Sequence, residues 1–234
     1  MSVRPTFTHP WDVSPAEARE IQRQLRERVL VQPLDQPPEV IAGIDVSVKG
    51  EQARAAIVLL SYPDLTPFHA ITAEMPVSFP YVPGLLAFRE GPVVLAALER
   101  LTERPDVLMF DAQGLAHPRR MGLATHLGVL LDIPAVGCAK SRLCGVYVEP
   151  DERKGSWTPL IDGDEVIGAV VRTRDTVRPV FVSIGHRVDL ETAVALVLGC
   201  ATKYRLPEPI RWAHQVAGGQ PLPTARQPTL FDLS

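Results

Sequence analysis

Three carboxylates in this chain stand where a negative charge needs a partner. Asp45 lies inside the apolar run "IAGIDVSV", Asp111 ends the apolar run "VLMFD", and Glu90 lies between a proline-rich loop and a run with helical spacing. A charge in an apolar strand is costly unless it is paired, and converging carboxylates repel each other unless a cation joins them. Either aspartate alone could be structural, paired with an arginine or capping a backbone amide. Together they favour a hard cation such as Mg²⁺ or Mn²⁺ and metal-assisted phosphodiester hydrolysis.

The elements that must carry these residues follow from the patterning of the chain. Ser14, Pro15 and Glu17 form the start of an amphipathic helix with a capping box. Three β-branched runs then predict an antiparallel meander, followed by two helices that alternate with short strands, a strand pair and two more helices. These later runs are "GPVVLAALERL", "DVLMFDA", "RRMGLATHLGVLLD", "PAVGCAK", "EVIGAVVRT", "VRPVFVSIG", "DLETAVALVLGCA" and "PEPIRWAHQVAG". The order predicts a mixed α/β sheet flanked by helices, with residues 1–217 as one domain and 218–234 as a flexible tail.

Composition narrows the class of protein. A hydrophobic content of 46% with 22% charged residues is typical of a soluble globular protein. The apolar runs are too short to span a bilayer, and the N-terminus lacks the apolar segment of a signal peptide, so no membrane partner is expected. The three cysteines, Cys138, Cys144 and Cys200, show no zinc-ligand spacing and predict free, buried thiols in a reducing cytoplasm. A net charge of −3 argues weakly against a large non-specific nucleic-acid binder.

The proline-rich loop "FPYVPGLLAFREGP" places a tyrosine, Tyr81, between Pro80 and Pro83. Proline fixes φ, so such a loop presents the ring without a large ordering cost. An aromatic face can replace the stacking that is lost when a base leaves a duplex. The alternative is a tyrosine buried in an ordinary turn.

The order of strand-borne Asp, two antiparallel strands, helix-borne Glu and strand-borne Asp resembles the ribonuclease H-like nuclease fold. The blocks "GIDVS", "PYVPGLLAFREGP", "DAQGLAHPRRMGLATHLGV", "GCAKSRLCG" and "RLPEPIRWAH" resemble the endonuclease V family, in the family's order and over residues 14–217. The resemblance implies a DNA repair nuclease that recognises deoxyinosine and hydrolyses the second phosphodiester bond 3′ to the lesion, leaving 3′-hydroxyl and 5′-phosphate ends. It implies Mg²⁺ as cofactor, with Mn²⁺ able to replace it, and leaves open whether inosine in RNA is also cut.

The resemblance also implies roles for single residues. Asp45 and Asp111 would bind the metal, and Glu90 would complete the acidic site directly or through water. Lys140 would lie near the scissile phosphate, and His214 would position water or phosphate unless it is an ordinary helix histidine. The remaining implied residues read DNA: Pro80, Tyr81, Val82 and Pro83 as the wedge, Gly84 and Leu85 as base-pocket lining, His117 and Arg119 on the base pocket or phosphates, and Arg120 on the backbone.

One position departs from the family pattern. Ala112 follows Asp111 where the family usually has glycine. If that backbone approaches the base, the added methyl group would reshape the pocket and alter lesion preference, while the metal chemistry would survive.

The tail carries "QPTLF", in which Gln227, Leu230 and Phe231 resemble the peptide by which bacterial repair proteins bind the sliding clamp. Chance, or docking onto the chain's own domain, is the alternative for this short pattern.

Two other functions remain open from the sequence. One is a different ribonuclease H-like nuclease, such as the nuclease half of an excision-repair incision protein, against which the wedge block and "HPRR" speak. The other is a nucleic-acid binding module without catalysis, against which the three intact carboxylates speak.

Overall fold

The computed structural model describes residues 3–222. Within that range one eight-stranded mixed sheet has the order β3-β2-β1-β4-β5-β8-β7-β6. The strands are β1 (Val40–Lys49), β2 (Gln52–Ser61), β3 (Pro67–Pro76), β4 (Val107–Phe110), β5 (Ala135–Ala139), β6 (Trp157–Asp162), β7 (Glu165–Val171) and β8 (Val180–His186). The helices are α1 (Pro15–Arg26), α2 (Leu86–Leu98), α3 (Leu123–Leu131), α4 (Leu190–Cys200) and α5 (Glu208–Ala217).

The sheet combines the predicted meander with a parallel centre. β1, β2 and β3 pair antiparallel, whereas β1, β4 and β5 run parallel. The last three strands return antiparallel beside β5. The predicted mixed α/β sheet is therefore confirmed, and in its parallel centre β4 and β5 end beside the middle of β1.

Alternation along the central strands divides the core between the two faces of the sheet. Ile44 and Phe110 belong to the core cluster that includes residues of α2 and α3. Ile41 and Met109 belong to the cluster that includes residues of α4 and Ile210 of α5. Because successive side chains of a strand point to opposite faces, Asp45 and Asp111 share the face on which α5 lies.

Local signals placed most helix starts correctly. The Ser14 side chain accepts the Glu17 N–H, and the Glu17 carboxylate accepts the Ser14 N–H, so the capping box is present. Asp189 caps α4 through the Thr192 N–H.

The start of α2 and the strand β6 differ from prediction. α2 begins at Leu86, so Pro92 lies inside the helix and Glu90 lies on the helix itself. β6 went unrecognised because Pro159 interrupts its pattern; it is the edge strand, where proline's missing N–H costs no ladder bond.

The structure can be compared with the predictions for the cysteines, for membrane-spanning segments and for the tail. The cysteines are free, but Cys144 is only half-buried, unlike Cys138 and Cys200. No described helix has the length and apolarity to cross a membrane. Leu222, which lies within the predicted tail of residues 218–234, packs against the cluster that contains Val58 and Ala213. Gln227, Leu230 and Phe231 lie outside the described residues.

Candidate active site

The two aspartates meet where β4 ends beside the middle of β1. Ile44 of β1 pairs with Phe110 of β4, and the Asp111 N–H donates to the Ile44 carbonyl at 3.1 Å. This register places Asp111 beside Asp45. Lys140 follows β5 directly, and its ammonium group contacts the Asp111 carboxylate. The carboxyl edge of a parallel sheet is where such folds bind their ligands.

His214 reaches the aspartates because α5 lies unusually close to β1. A Cβ at Gly43 would lie 1.9 Å from the Pro209 carbonyl oxygen, so glycine is needed for this approach. His214 Nδ1 donates to Asp45 Oδ2 at 2.7 Å. One potential ligand atom each from Asp45, Asp111 and His214 lies within 4.8 Å of the others.

The electrostatics of the cluster favour a bound cation. Burial, with the charge of Asp45 second, raises the pKa of Glu90 to about 8. Burial also raises the pKa of Asp111, although Lys140 opposes the shift. A divalent cation would reverse both trends, because it favours the ionised carboxylates. The donor set of two carboxylates, a nearby third and one imidazole therefore fits a metal ion.

The proline-rich loop presents Tyr81 to solvent. The Tyr81 side chain is 73% exposed, while Phe79 is buried and anchors the loop. The buried Leu85 also anchors it: its N–H closes a turn on the Val82 carbonyl at 2.9 Å. Leu85 is 1% exposed and packs with Phe88 in the core, so the structure does not support the prediction that it lines a base pocket.

The Gly84 carbonyl holds the loop from behind. It accepts N–H groups from His117 Nε2 at 2.9 Å, Arg119 Nη2 at 2.6 Å and Gln22 Nε2 at 3.1 Å. Gly84 has φ +77°, and a Cβ there would lie 2.6 Å from Arg119 Nη2. The left-handed backbone therefore favours glycine, and a Cβ here would displace the Arg119 guanidinium from the Gly84 carbonyl.

The two predicted DNA-reading residues His117 and Arg119 therefore brace the loop. Because the Gly84 oxygen only accepts, His117 Nε2 carries the proton, and Nδ1 accepts the Arg119 N–H at 3.1 Å. Burial lowers the pKa of His117 to about 4, so the ring is neutral at pH 7. Both of its nitrogens are occupied.

Arg120 differs from its predicted place on the DNA backbone. Its side chain is 10% exposed, and the guanidinium is paired with Asp162 at 2.9 Å and Glu165 at 2.7 Å. Those two carboxylates and the His117 carbonyl accept the N–H groups of Nε and Nη1. Arg120 joins the β6–β7 hairpin to the segment before α3, and this geometry does not support a phosphate contact.

A cleft of about 400 Å³ extends from the loop to Asp111 and Lys140. Its lining includes Tyr81, Gly84 and Ala112 on one part, and Asp111 and Lys140 on the other. The volume falls within the range of roughly 300–1,000 Å³ typical of ligand pockets. The exposed ring of Tyr81 and one member of the candidate metal cluster, Asp111, thus line one cavity.

The comparisons with known proteins agree with this geometry. The family model described as "Endonuclease V" matches residues 23–215. The chain belongs to the endonuclease V family.

The match extends along almost the whole chain. An endonuclease V from Methanothrix thermoacetophila is 55% identical over 214 residues, which cover 92% of this chain and 95% of that protein. The crystal structure of an endonuclease V from Streptomyces avermitilis has a TM-score of 0.86 at 43% identity, covering 93% of this chain and 96% of that one. Ciona intestinalis endonuclease V, solved in complex with a 24mer DNA containing an inosine followed by a ribo-adenosine, has a TM-score of 0.75 at 32% identity, covering 87% of this chain and 95% of that one.

Family membership confirms the predicted resemblance, the fold class and the nuclease activity of a DNA repair enzyme. The structure also contains three supporting residues that the sequence analysis did not single out. Gly43 permits the approach of α5, Gln22 holds the Gly84 carbonyl, and Ser183 Oγ accepts the Gly114 N–H beneath the cleft at 2.8 Å. The glycine in "AGIDVS" is the sequence signal from which the close approach of another segment could have been predicted, since glycine inside a strand often marks close backbone approach.

Proposed function

We propose that this endonuclease V recognises deoxyinosine in DNA and hydrolyses the second phosphodiester bond on its 3′ side. One observation carries the proposal: the exposed ring of Tyr81 lines the same cleft as Asp111, and Asp111 belongs to the cluster of potential metal ligands with Asp45 and His214. The DNA bound by the Ciona relative, which contains an inosine, supports the choice of lesion. An inactive binding module would have no reason to keep these carboxylates together.

Asp45 and Asp111 would hold the metal directly, and Glu90, which lies outside the group of close ligand atoms, would act through water. We propose Mg²⁺, with Mn²⁺ able to replace it, because carboxylate and water oxygens are the ligands these ions prefer. The ion supplies charge that polarises the phosphate and lowers the pKa of a water molecule.

The remaining side chains place the reacting groups. Water oxygen forms a bond to phosphorus and the bond from phosphorus to the 3′-oxygen breaks, which leaves a 3′-hydroxyl and a 5′-phosphate. His214 is anchored through Nδ1 on Asp45, so Nε2 is the nitrogen that faces water or phosphate. Lys140, once released from Asp111, would stabilise the negative charge that develops on the phosphate oxygens.

Tyr81 and its flanking residues Pro80, Val82 and Pro83 would read the lesion. The exposed ring replaces the stacking that the altered base loses on leaving the duplex. The base would enter the cleft beside Gly84 and Ala112. Lesion reading and cutting are then coupled, because Glu90 follows the loop on α2.

The test is nicking of an end-labelled duplex that carries one deoxyinosine, in Mg²⁺, in Mn²⁺ and in EDTA. We expect metal-dependent nicking that is lost in Asp45→Asn and weakened in Tyr81→Ala. Phe68→Ala is the matched control, since Phe68 is also an exposed aromatic residue but lies on the edge strand β3. Retained binding without nicking under either metal contradicts the proposal and favours a binding module. The same assay on an RNA strand with one inosine compares the two nucleic acids.

We propose separately that the tail binds a sliding clamp through Gln227, Leu230 and Phe231. Support comes only from the spacing of the glutamine and the two apolar residues. A labelled peptide of residues 223–234 should bind the clamp, and a peptide with Leu230→Ala and Phe231→Ala should not. Absence of binding at high micromolar concentration contradicts the proposal.

A further inference from the structure

Gln22 is a buried polar residue that touches the lesion-reading loop from α1. It is fully buried, although glutamine is usually exposed. Its Nε2 donates to the Gly84 carbonyl at 3.1 Å and to the Met121 carbonyl at 3.0 Å. Its Oε1 accepts Arg119 Nε at 2.6 Å. Three of the four hydrogen bonds that an amide can make are therefore formed.

These contacts join three separate parts of the site. Gly84 follows Pro83 in the proline-rich loop, and Met121 precedes α3. Arg119 Nη2 donates to the same Gly84 oxygen at 2.6 Å. Gly84 and Met121 both line the cleft. Gln22 thus fixes the distance between two walls of the cleft and also orients the guanidinium that braces the loop.

The direction of the amide matters. The nitrogen faces two carbonyl oxygens and the oxygen faces an arginine N–H, so only a side chain with a donor and an acceptor satisfies the place. A carboxylate would face both carbonyls with lone pairs. An apolar side chain of similar size would leave buried carbonyl and guanidinium groups without a partner, which is costly.

We propose that Gln22 is a positioning residue for lesion recognition, acting through Gly84 on the placement of Tyr81. This rests on the proposed function, in which Tyr81 enters the duplex. Gln22 does not touch the substrate or the carboxylates. Its loss should therefore weaken productive engagement of the lesion more than the chemical step at the metal.

The experiment uses Gln22→Leu and Gln22→Glu in the full chain. Gln24→Leu and Gln24→Glu are matched controls, because Gln24 lies on the same helix but is exposed and bonded to Glu20. Folding of every variant is first checked by thermal unfolding. Chymotryptic cleavage after Tyr81 then reports loop placement without any need for activity.

We expect cleavage after Tyr81 to be about tenfold faster in both Gln22 variants, because proteolysis follows the population of the open loop. In single-turnover nicking of the deoxyinosine duplex, the enzyme concentration for half-maximal rate should rise about tenfold while the maximal rate changes less. In a Tyr81→Ala background the effect of Gln22→Leu on nicking should disappear, since the two residues act through one loop.

Three results would overturn the inference: proteolysis equal to that of the Gln24 controls, additive losses with Tyr81→Ala, or a nicking loss that merely follows the unfolded fraction. A wild type that does not nick the duplex contradicts the proposed function instead, and the proteolysis comparison still decides the role of Gln22.

Discussion

Two histidines of the site have opposite surroundings. His117 is 3% exposed, and its ring nitrogens are occupied by the Gly84 carbonyl and the Arg119 N–H. The His214 side chain is 62% exposed and bonds the Asp45 carboxylate. A buried neutral imidazole fixes geometry, whereas an exposed imidazole beside a carboxylate remains available to water and substrate. His117 therefore belongs to the structure of the loop, whereas His214 has the exposure that our proposal requires of a residue that positions water or phosphate.

We predict that His117 makes stability fall with acid. Its pKa is about 4 in the folded chain against an ordinary value of 6.5, so the unfolded chain binds more protons between these pH values. The stabilisation is present above pH 6.5 and is lost as the pH falls towards 4. It amounts to roughly 3 kcal/mol when fully lost. Urea unfolding at several pH values measures it.

His117→Gln should remove this part of the pH dependence, leaving a smaller difference between pH 7 and pH 4.5 than in the wild type. His69→Gln, on the edge strand β3, is the control and should keep the wild-type slope. Equal slopes for His117→Gln and the wild type would contradict the assignment.

Ala112 stands beside the candidate base pocket, where the family usually has glycine. It is 6% exposed and lines the cleft, so its methyl group takes space beside the expected base. We predict that Ala112→Gly raises the rate at which the inosine-containing strand is nicked. The added entropy of the unfolded chain should lower the free energy of unfolding by roughly 0.5–1 kcal/mol. An unchanged or lower rate would remove the pocket argument. Single-turnover nicking with deoxyinosine measures it.

At the scale of elements, the approach of α5 to β1 is what brings His214 to Asp45. We predict that Gly43→Ala, whose Cβ would meet the Pro209 carbonyl, pushes α5 away. Overpacking of this kind costs roughly 1–3 kcal/mol, and a displacement of about 1 Å at a catalytic group can cost roughly 100-fold in rate. Thermal unfolding and nicking rates measure the two effects.

Gly50→Ala is the matched control, because it also replaces a glycine by alanine but its Cβ would meet nothing within 4 Å. The φ of +59° at Gly50 means that this control also adds local backbone strain. It should leave the nicking rate unchanged. If Gly43→Ala keeps the wild-type rate, the close approach of α5 is not required for the reaction.

At the scale of the whole molecule, we predict that a divalent cation stabilises the fold. Burial, with the charge of Asp45 second, raises the pKa of Glu90, and burial raises the pKa of Asp111 although Lys140 opposes the shift. Ionised carboxylates are therefore unfavourable here until a cation joins them. At 100 times the dissociation constant, binding to the folded state adds about 2.7 kcal/mol. Thermal unfolding with and without Mg²⁺ measures the gain.

Asp45→Asn should be more stable than the wild type without metal, because one repelling charge is gone, and should gain little when Mg²⁺ is added. Asp64→Asn, on the turn after β2, should behave like the wild type. An equal gain from Mg²⁺ in Asp45→Asn and the wild type would place the cation elsewhere.

The sequence by itself determined much of this protein. Continuous apolar runs indicated the buried strands, so an aspartate inside such a run or at its end was easy to recognise as unusual. Capping residues such as Ser14 and Asp189 act on their own helix, and the ordered blocks were specific enough to indicate the family. These signals are local in the chain, and therefore need no knowledge of what packs against them.

Only the tertiary structure decided which polar groups are free. Arg120 looked like a phosphate ligand, but Asp162 and Glu165 meet it from a hairpin more than forty positions away in the chain. Gln22 looked like an ordinary helix residue, yet its partners come from Gly84, Arg119 and Met121. Hydrogen bonds and ion pairs of this kind depend on which distant segments the fold brings within about 3 Å, and sequence spacing does not encode that distance.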